Sequence, residues 1–575
     1  MKRISNIIVL AAILLFVASS CSDFLEPEFE NNTFSDEYLL THPINAEGLL
    51  LNGYASLPGD EIDLEAATDN ATTNVFSSGY LKMGTGQWTS NFNPVSVWTK
   101  DYMVLRYINK FEGIYKDVKW EWQYTDRNPY FLNRFAGEIF GLRAWYLYDL
   151  LKVHGGESVD GKLLGVPIIL KELNQNDDLK LPRNTFDECI ARIVNDCDSA
   201  ISRLPFKYAN GSANDAVLGK SFDGRVDQKV AMVIKSRATL MAASPAFTIG
   251  KTDAEKIALW QKAANAAAQY LKLVSGATGF SARGVDFYKA TFQDDPEIIW
   301  RKRVVASSST LEKSLFPPSL YGNGTINPSQ NLVDAFPLAT GYPATAEVQK
   351  TNLTLKDKRL QAFVIYQGSK LKNIAINTYV GAPNDGMNIL PTSTRTGYYL
   401  KKFVNESVSL LPTNVTGAAH FITLARRTEI FLNYAEAVNE AYGPDADPLG
   451  VGLTPKAVLG LIRKRAGIDS NATLAGYQDQ FLDDRAAAGR DAFRALIKNE
   501  RRVELCFEGT RFWDIRRWKD NISEPLKGVS ITNNGGTLSY SFQDVEARPY
   551  KDYMYYGPVP YTETLKYDIK QNKGW

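Results

Sequence analysis

Cysteine and histidine are scarce in this chain of 575 residues: four of the first and three of the second. No CxxC or HExxH spacing exists, and His42, His154 and His420 are scattered, so no metal site is expected. Cys189 and Cys197 fall on one predicted helix, about 12 Å apart by helical rise, beyond the reach of a disulfide. With Cys506 they read as small buried apolar side chains. Net charge is also missing, with 65 Lys and Arg against 64 Asp and Glu. Without a basic excess there is no counterion-release term to drive nucleic-acid binding, so no nucleic-acid partner is expected. GxSxG and GxGxxG are absent. Leu218-Gly219-Lys220-Ser221 is like the end of a Walker A loop, but Asn214 stands where its first glycine belongs. No catalytic residue and no cofactor is assigned. No Ser/Gly/Pro tract or block of like charge marks a linker, so residues 21–575 are read as one domain.

What the chain does have is apolar and aromatic weight: 44% hydrophobic and 12% aromatic residues, with 29 Tyr and 10 Trp. Most of these belong in a core, and the surplus is what a sugar- or peptide-binding surface draws on. Residues 1–20 open on Met-Lys-Arg, continue as an apolar run and end on Ala18-Ser19-Ser20, the form of a secretory signal. Cys21 follows directly, and the junction resembles a bacterial lipobox with Ala18 at its first position. That resemblance implies cleavage before Cys21 and acylation of its sulfur, a permanent tie to membrane lipid. Loss of Lys2 and Arg3 with the leader leaves 63 cations against 64 anions.

Apolar periodicity predicts helices from Trp98 to about Val118, over 133–152, and from Phe186 to Leu204. The last carries a capping box, Thr185 with Glu188 three residues on, and stops at Pro205. Further helices are expected over 226–244 and 253–273, the second Ala-rich and able to admit a close neighbour. From about 276 to 425 the chain turns to Gly, Pro, Asn and Thr with short strands such as the one around Trp300, a long insert of the kind that carries function. Helices resume near 426. The scaffold is thus expected over about 97–275 and 426–518, mainly α, built from tetratricopeptide-like helix pairs without a visible 34-residue period.

The stretch 491–518 is the most telling. Phe493, Leu496, Ile497, Val503 and Phe507 predict a helix over 491–508 ended by Gly509, with a short helix over 511–518. Glu500, Glu504 and Glu508 then share one face and need cations, for which Arg511, Arg516 and Arg517 are nearest. Two readings compete. One is a glycosidase-type acid/base pair; the other is a semi-buried ion network, favoured because Arg neighbours depress carboxylate pKa values whereas a general acid needs its own raised.

The run NERRVEL at 499–505 followed by FEGTRFWDIRRW at 507–518 resembles the C-terminal signature of the SusD/RagB family. So do GLRAWYLYDL at 141–150 with His154-Gly155-Gly156, Asn109 within its helix, TEIFLNYAEA with Asn439-Glu440, IRKRAG at 462–467, and the tail Tyr556-Gly557-Pro558-Val559-Pro560 with QNKGW. The resemblance implies a surface lipoprotein of the outer membrane, facing the cell exterior, that captures an oligosaccharide for a SusC-type TonB-dependent transporter without cleaving it. A peptide-capturing member of the same family and a surface glycosidase are the alternatives. Family ligand residues vary, so candidates come from the loops alone: Trp88 and Asn91 in the Gly-rich 79–93 loop, then Tyr321 and Tyr342, as stacking faces and amides for a sugar.

Overall fold

Helix follows helix along most of the chain, and each packs on the one before it. The structure, a computed structural model, describes residues 36–120, 128–174, 176–274, 293–471, 476–567 and 569–575; the predicted leader and Cys21 lie outside them. The longer helices are α1 (Pro43–Ala55), α2 (Trp98–Ile114), α3 (Asn128–His154), α4 (Phe186–Ile201), α5 (Gln228–Ala243), α6 (Asp253–Leu273), α7 (Arg427–Tyr442), α8 (Pro455–Arg465), α9 (Gln480–Ala487), α10 (Arg490–Glu504) and α11 (Arg511–Arg517). From α1 to α8 every helix packs on its successor, and α7 also packs on α10. The chain is mainly α, as expected, with tetratricopeptide-like pairs as its frame.

α4 shows how local sequence builds this frame. Thr185 accepts the Glu188 N–H at 3.2 Å while Glu188 accepts the Thr185 N–H at 2.8 Å, the reciprocal capping box. Phe186, Cys189, Ile193, Cys197 and Ala200 recur at helical spacing and are all buried, facing α3 on one side and α5 on the other. Cys189, Cys197 and Cys506 are free, buried thiols. α6 buries Ala263, Ala264, Ala266, Ala267 and Ala268, which lets α5 and α7 both approach it closely. The region between α6 and α7 therefore leaves the stack and returns to the same place.

That region carries short antiparallel pairs and a core of its own. β1 (Ala71–Thr73) pairs with β4 (Ile326–Pro328), β2 (Ile298–Arg301) with β6 (Thr423–Arg426), and β3 (Val305–Ser308) with β5 (Ala418–His420). Trp300 of β2 is buried edge-on against Trp145 of α3, ring centres 5.1 Å apart, and its indole N–H donates to Gly224 O. Phe316, Leu332, Phe336, Phe363 and Tyr399 form a second apolar cluster together with Phe507 and Val529. A long ribbon, β7 (Leu526–Asn534) with β8 (Thr537–Glu546), follows α11. Its turn, Gly535-Gly536, holds both φ angles positive, at 59° and 97°, which is the chemistry of a two-residue hairpin. Sequence periodicity did not predict this ribbon.

The carboxylates of α10 form an ion network, but two details differ from expectation. The helix stops at Glu504, and Phe507 takes a left-handed backbone with φ 63°. Buried cations capture the carbonyls that would have continued the helix: Arg426 donates to Glu504 O at 2.9 Å, and Lys402 to Cys506 O at 2.8 Å. The partners are also not the neighbours in sequence. Glu504 meets Arg359, Arg426 and Arg465, Glu500 meets Arg359 and Arg463, and Glu508 meets Lys402 and Arg426. Arg511 pairs with Asp69, Arg517 with Glu436 and Asp514, and the Arg516 N–H groups with backbone carbonyls. The long side chains of the insert and of α7 and α8 reach this layer because the stack brings them there, which spacing along one segment cannot reveal.

Candidate functional site

The four loop residues expected to meet a ligand have three different fates. Trp88 is 3% exposed. Its ring packs against Trp575 at 4.7 Å, Phe512 at 5.8 Å and Tyr550 at 6.1 Å, and its N–H donates to Asn93 Oδ1. A ring enclosed this way offers no free face, so Trp88 is a core residue and not a stacking platform. The glycines around it made the segment look like an open loop, whereas they let the backbone turn inward. Tyr342 stays at the surface but against α9, with its ring 5.1 Å from Phe481 and its hydroxyl donating to Asp484. These contacts tie down its own loop, and none connects it with the other candidates.

Asn91 and Tyr321, by contrast, belong to loops that the fold ties to one another through the loop at 74–79. Tyr321 is 47% exposed and caps the short helical turn Pro318–Leu320 with φ 64°. The loop behind it folds back on helix Thr310–Leu315: Asn323 N donates to Lys313 O, Gly324 N to Phe316 O and Thr325 N to Ser314 O. Gly322 lies so close beneath that an added Cβ would collide with Phe316 O. Asn74, at the end of β1, donates to Asn323 O at 2.9 Å and Gly324 O at 3.1 Å. Two residues on, Phe76 is 68% exposed. Arg395 lies 5.0 Å from the centre of that ring, while its Nη1 donates to Thr72 Oγ1, Thr73 O and Glu546, each at 2.9 Å. Phe92 is 37% exposed, beside the exposed Asn91, and its ring edge comes near Gly79.

The outcome is a set of tethered loops that presents Phe76, Phe92 and Tyr321 to solvent, with the exposed Asn91 next to Phe92 in the chain. Phe76 and Phe92 are not among the residues expected from sequence. The signal that could have found Phe76 is its setting, Asn-Ala-Thr-Thr-Asn-Val-Phe-Ser-Ser at 70–78, a large ring in a run of small polar residues. Chemically, exposed rings stack on apolar faces and side-chain amides fix hydroxyls.

The α10 carboxylates are engaged otherwise. Burial alone would raise the pKa of Glu504, but Arg465, Arg426 and Arg359 outweigh it and hold the carboxyl well below the usual range. That is the opposite of what a general acid needs. Among the described residues no group of three His, Cys, Asp or Glu side chains could hold a metal ion, and no helix is long and apolar enough to cross a membrane.

Comparison with known proteins places this architecture. The model of the SusD family matches residues 296–575, and a second SusD-like model, described as starch-binding and associating with the outer membrane, matches residues 23–216. A SusD-like protein from Bacteroides fragilis superposes with a TM-score of 0.72 at 22% identity, covering 94% of this chain and 99% of its own. A SusD-like carbohydrate-binding protein from the same species gives 0.67 at 18% identity, over 92% and 98%. Surface glycan-binding protein A from Bacteroides fluxus gives 0.59 at 16%, over 93% and 100%. No curated protein sequence matches the chain. With two SusD models matching its two halves and the same fold running through nearly its whole length, the chain belongs to the SusD/RagB family.

Proposed function

We propose that this protein is a surface glycan-binding protein that captures an oligosaccharide without cleaving it and passes it to a SusC-type TonB-dependent transporter. The observation that carries the reading is the set of tethered loops on which Phe76, Phe92, Tyr321 and Asn91 are all exposed. Similarity to proteins named as carbohydrate-binding and glycan-binding supports it. Each useful stacking contact contributes about 0.5–1.5 kcal/mol beyond its burial, so affinity is shared among several rings.

The test is a glycan array followed by calorimetry. Phe76→Ala and Tyr321→Ala should each weaken binding to the recognised glycan by roughly two- to tenfold while leaving the thermal midpoint in place. Turnover of the glycan by pure protein, or selective capture of peptides in its stead, would refute this reading.

The anchor is part of the same proposal. Cys21, outside the described residues, carries the lipid that holds the protein to the outer membrane at the cell exterior. Wild-type protein solubilised from the native membrane in mild detergent should bring down one large barrel protein, and Cys21→Ala should be missing from the membrane fraction. Equal membrane retention of the two forms would remove the anchor from the account.

A further inference from the structure

A cavity of about 610 Å³ lies away from the loop face. It lies between the helical stack and the insert, walled by α3, α5, α11, the segment before Ile62 and the inner ends of the β2–β6 and β3–β5 pairs. Neither Phe76, Phe92 nor Tyr321 lines it. Helix Thr310–Leu315 stands between the two places: Leu311 and Ser314 face the cavity, while the Lys313 ammonium donates to Tyr321 O.

Volume of this order is that of small-molecule pockets, and the wall has groups left unused by the fold. Among the described residues neither the Glu61 carboxylate nor the Tyr148 hydroxyl has a hydrogen-bond partner, and both are only half-buried. Burial raises the pKa of Glu61, with Lys152 pulling the other way. Glu61 is also set in place by design of the backbone: Gly509, at φ 72°, lies so close that a Cβ there would collide with its Oε2. Trp513 is half-buried beside them, with the Lys152 ammonium 4.9 Å from its ring centre. Lys152 is itself paired with Asp149 at 2.7 Å, and Arg237 with Glu429 at 2.6 Å.

We propose that this cavity is a second ligand site, taking a short neutral saccharide by hydrogen bonds to Glu61 and Tyr148 beside the Trp513 ring. The wall holds acceptors and donors together, and the two cations nearest these groups, Lys152 and Arg237, are paired with carboxylates, while Lys302 is taken up by Leu57 O. A cationic ligand would have to enter against the Lys152 ammonium, which occupies the face of Trp513; an anionic one would meet Glu61, Asp60 and Asp63. A polyol meets neither repulsion and satisfies both idle groups. The site does not depend on the loop face.

The test uses the intact protein and named probes: glucose, galactose, mannose, xylose and N-acetylglucosamine, with maltose, cellobiose and lactose, read by saturation-transfer NMR and tryptophan fluorescence. Agmatine serves as the cationic comparison. At least one neutral sugar should bind saturably to wild-type protein and to Phe76→Ala alike, and bind at least tenfold more weakly to Glu61→Gln or Tyr148→Phe with unchanged thermal midpoint. A crystal soaked in that sugar should show it against Glu61, a result that needs no variant. Absence of saturable binding by every sugar, binding that Phe76→Ala abolishes and Glu61→Gln leaves intact, or binding of agmatine alone overturns the proposal. Loss of glycan binding at the loop face with retention in the cavity would leave this inference standing and remove the other.

Discussion

Glu504→Gln is expected to lower the stability of the fold by about 3–5 kcal/mol. Its carboxylate is fully buried and receives Arg426 Nη1 at 3.1 Å and Arg465 Nη2 at 2.5 Å on one oxygen, and Arg359 Nη1 at 2.9 Å on the other. Glutamine keeps the shape but removes the charge, and three guanidinium groups remain in a place that water does not reach. Arg426 retains Glu297 and Glu508, and Arg359 retains Asp357 and Glu500, so the loss is bounded. The pH dependence has a definite sign. The folded carboxyl is held below its unfolded value of about 4.3, so its contribution is present in full above that pH and drains away as pH falls further. Denaturant unfolding of both forms should therefore show a wide gap at pH 7 that narrows below pH ~4. A gap under about 1 kcal/mol, the scale of an exposed pair, would contradict a buried network.

Trp88→Ala is expected to cost a similar amount, about 3–5 kcal/mol, as a large core truncation. Removing the indole opens a cavity among Phe512, Tyr550 and Trp575 and also takes away one of the rings around Arg516. That guanidinium lies 3.5 Å from the Phe512 ring centre and 4.7 Å from that of Tyr550, and burial pushes its pKa down to about 10. Without Trp88 the charge keeps fewer favourable contacts. The measurable signature is a large fall in unfolding midpoint, with glycan binding retained at low temperature. An unchanged midpoint with lost binding would make the indole a ligand face after all.

These two residues show which parts of the molecule could be read from sequence. Where information is local, expectation and structure coincide: the Thr185–Glu188 box starts α4 at the expected residue, and the alanines of α6 mark a close approach. The register of α10 was also legible, since Phe493, Leu496, Ile497 and Val503 are all buried. Its end was not, because the carbonyls of Glu504 and Cys506 are taken by Arg426 and Lys402, which lie about 80 and 100 positions away in the chain. The cations of the network were misassigned for the same reason. In the candidate site, composition pointed to the loops of Asn91 and Tyr321, both of which are exposed, but could not tell which ring turns inward. Trp88 and Phe92 sit four positions apart in one loop, and only the aromatic cluster below decides that the first is buried and the second exposed.

The segment 61–74 has a consequence for the order in which the chain can fold. Glu65 accepts the N–H of Phe507, Asp69 pairs with Arg511, and Thr68 O accepts from Arg548, partners separated by 442, 442 and 480 positions. The α3–α4, α4–α5 and α5–α6 pairings join neighbours in sequence and can close early, at small loop-closure cost. The 61–74 segment cannot. During synthesis from the N-terminus its polar groups wait, solvated, until several hundred later residues have been made. The loops that expose Phe76 and Tyr321 are joined through this same segment, so that face is assembled only after these long-range contacts have closed.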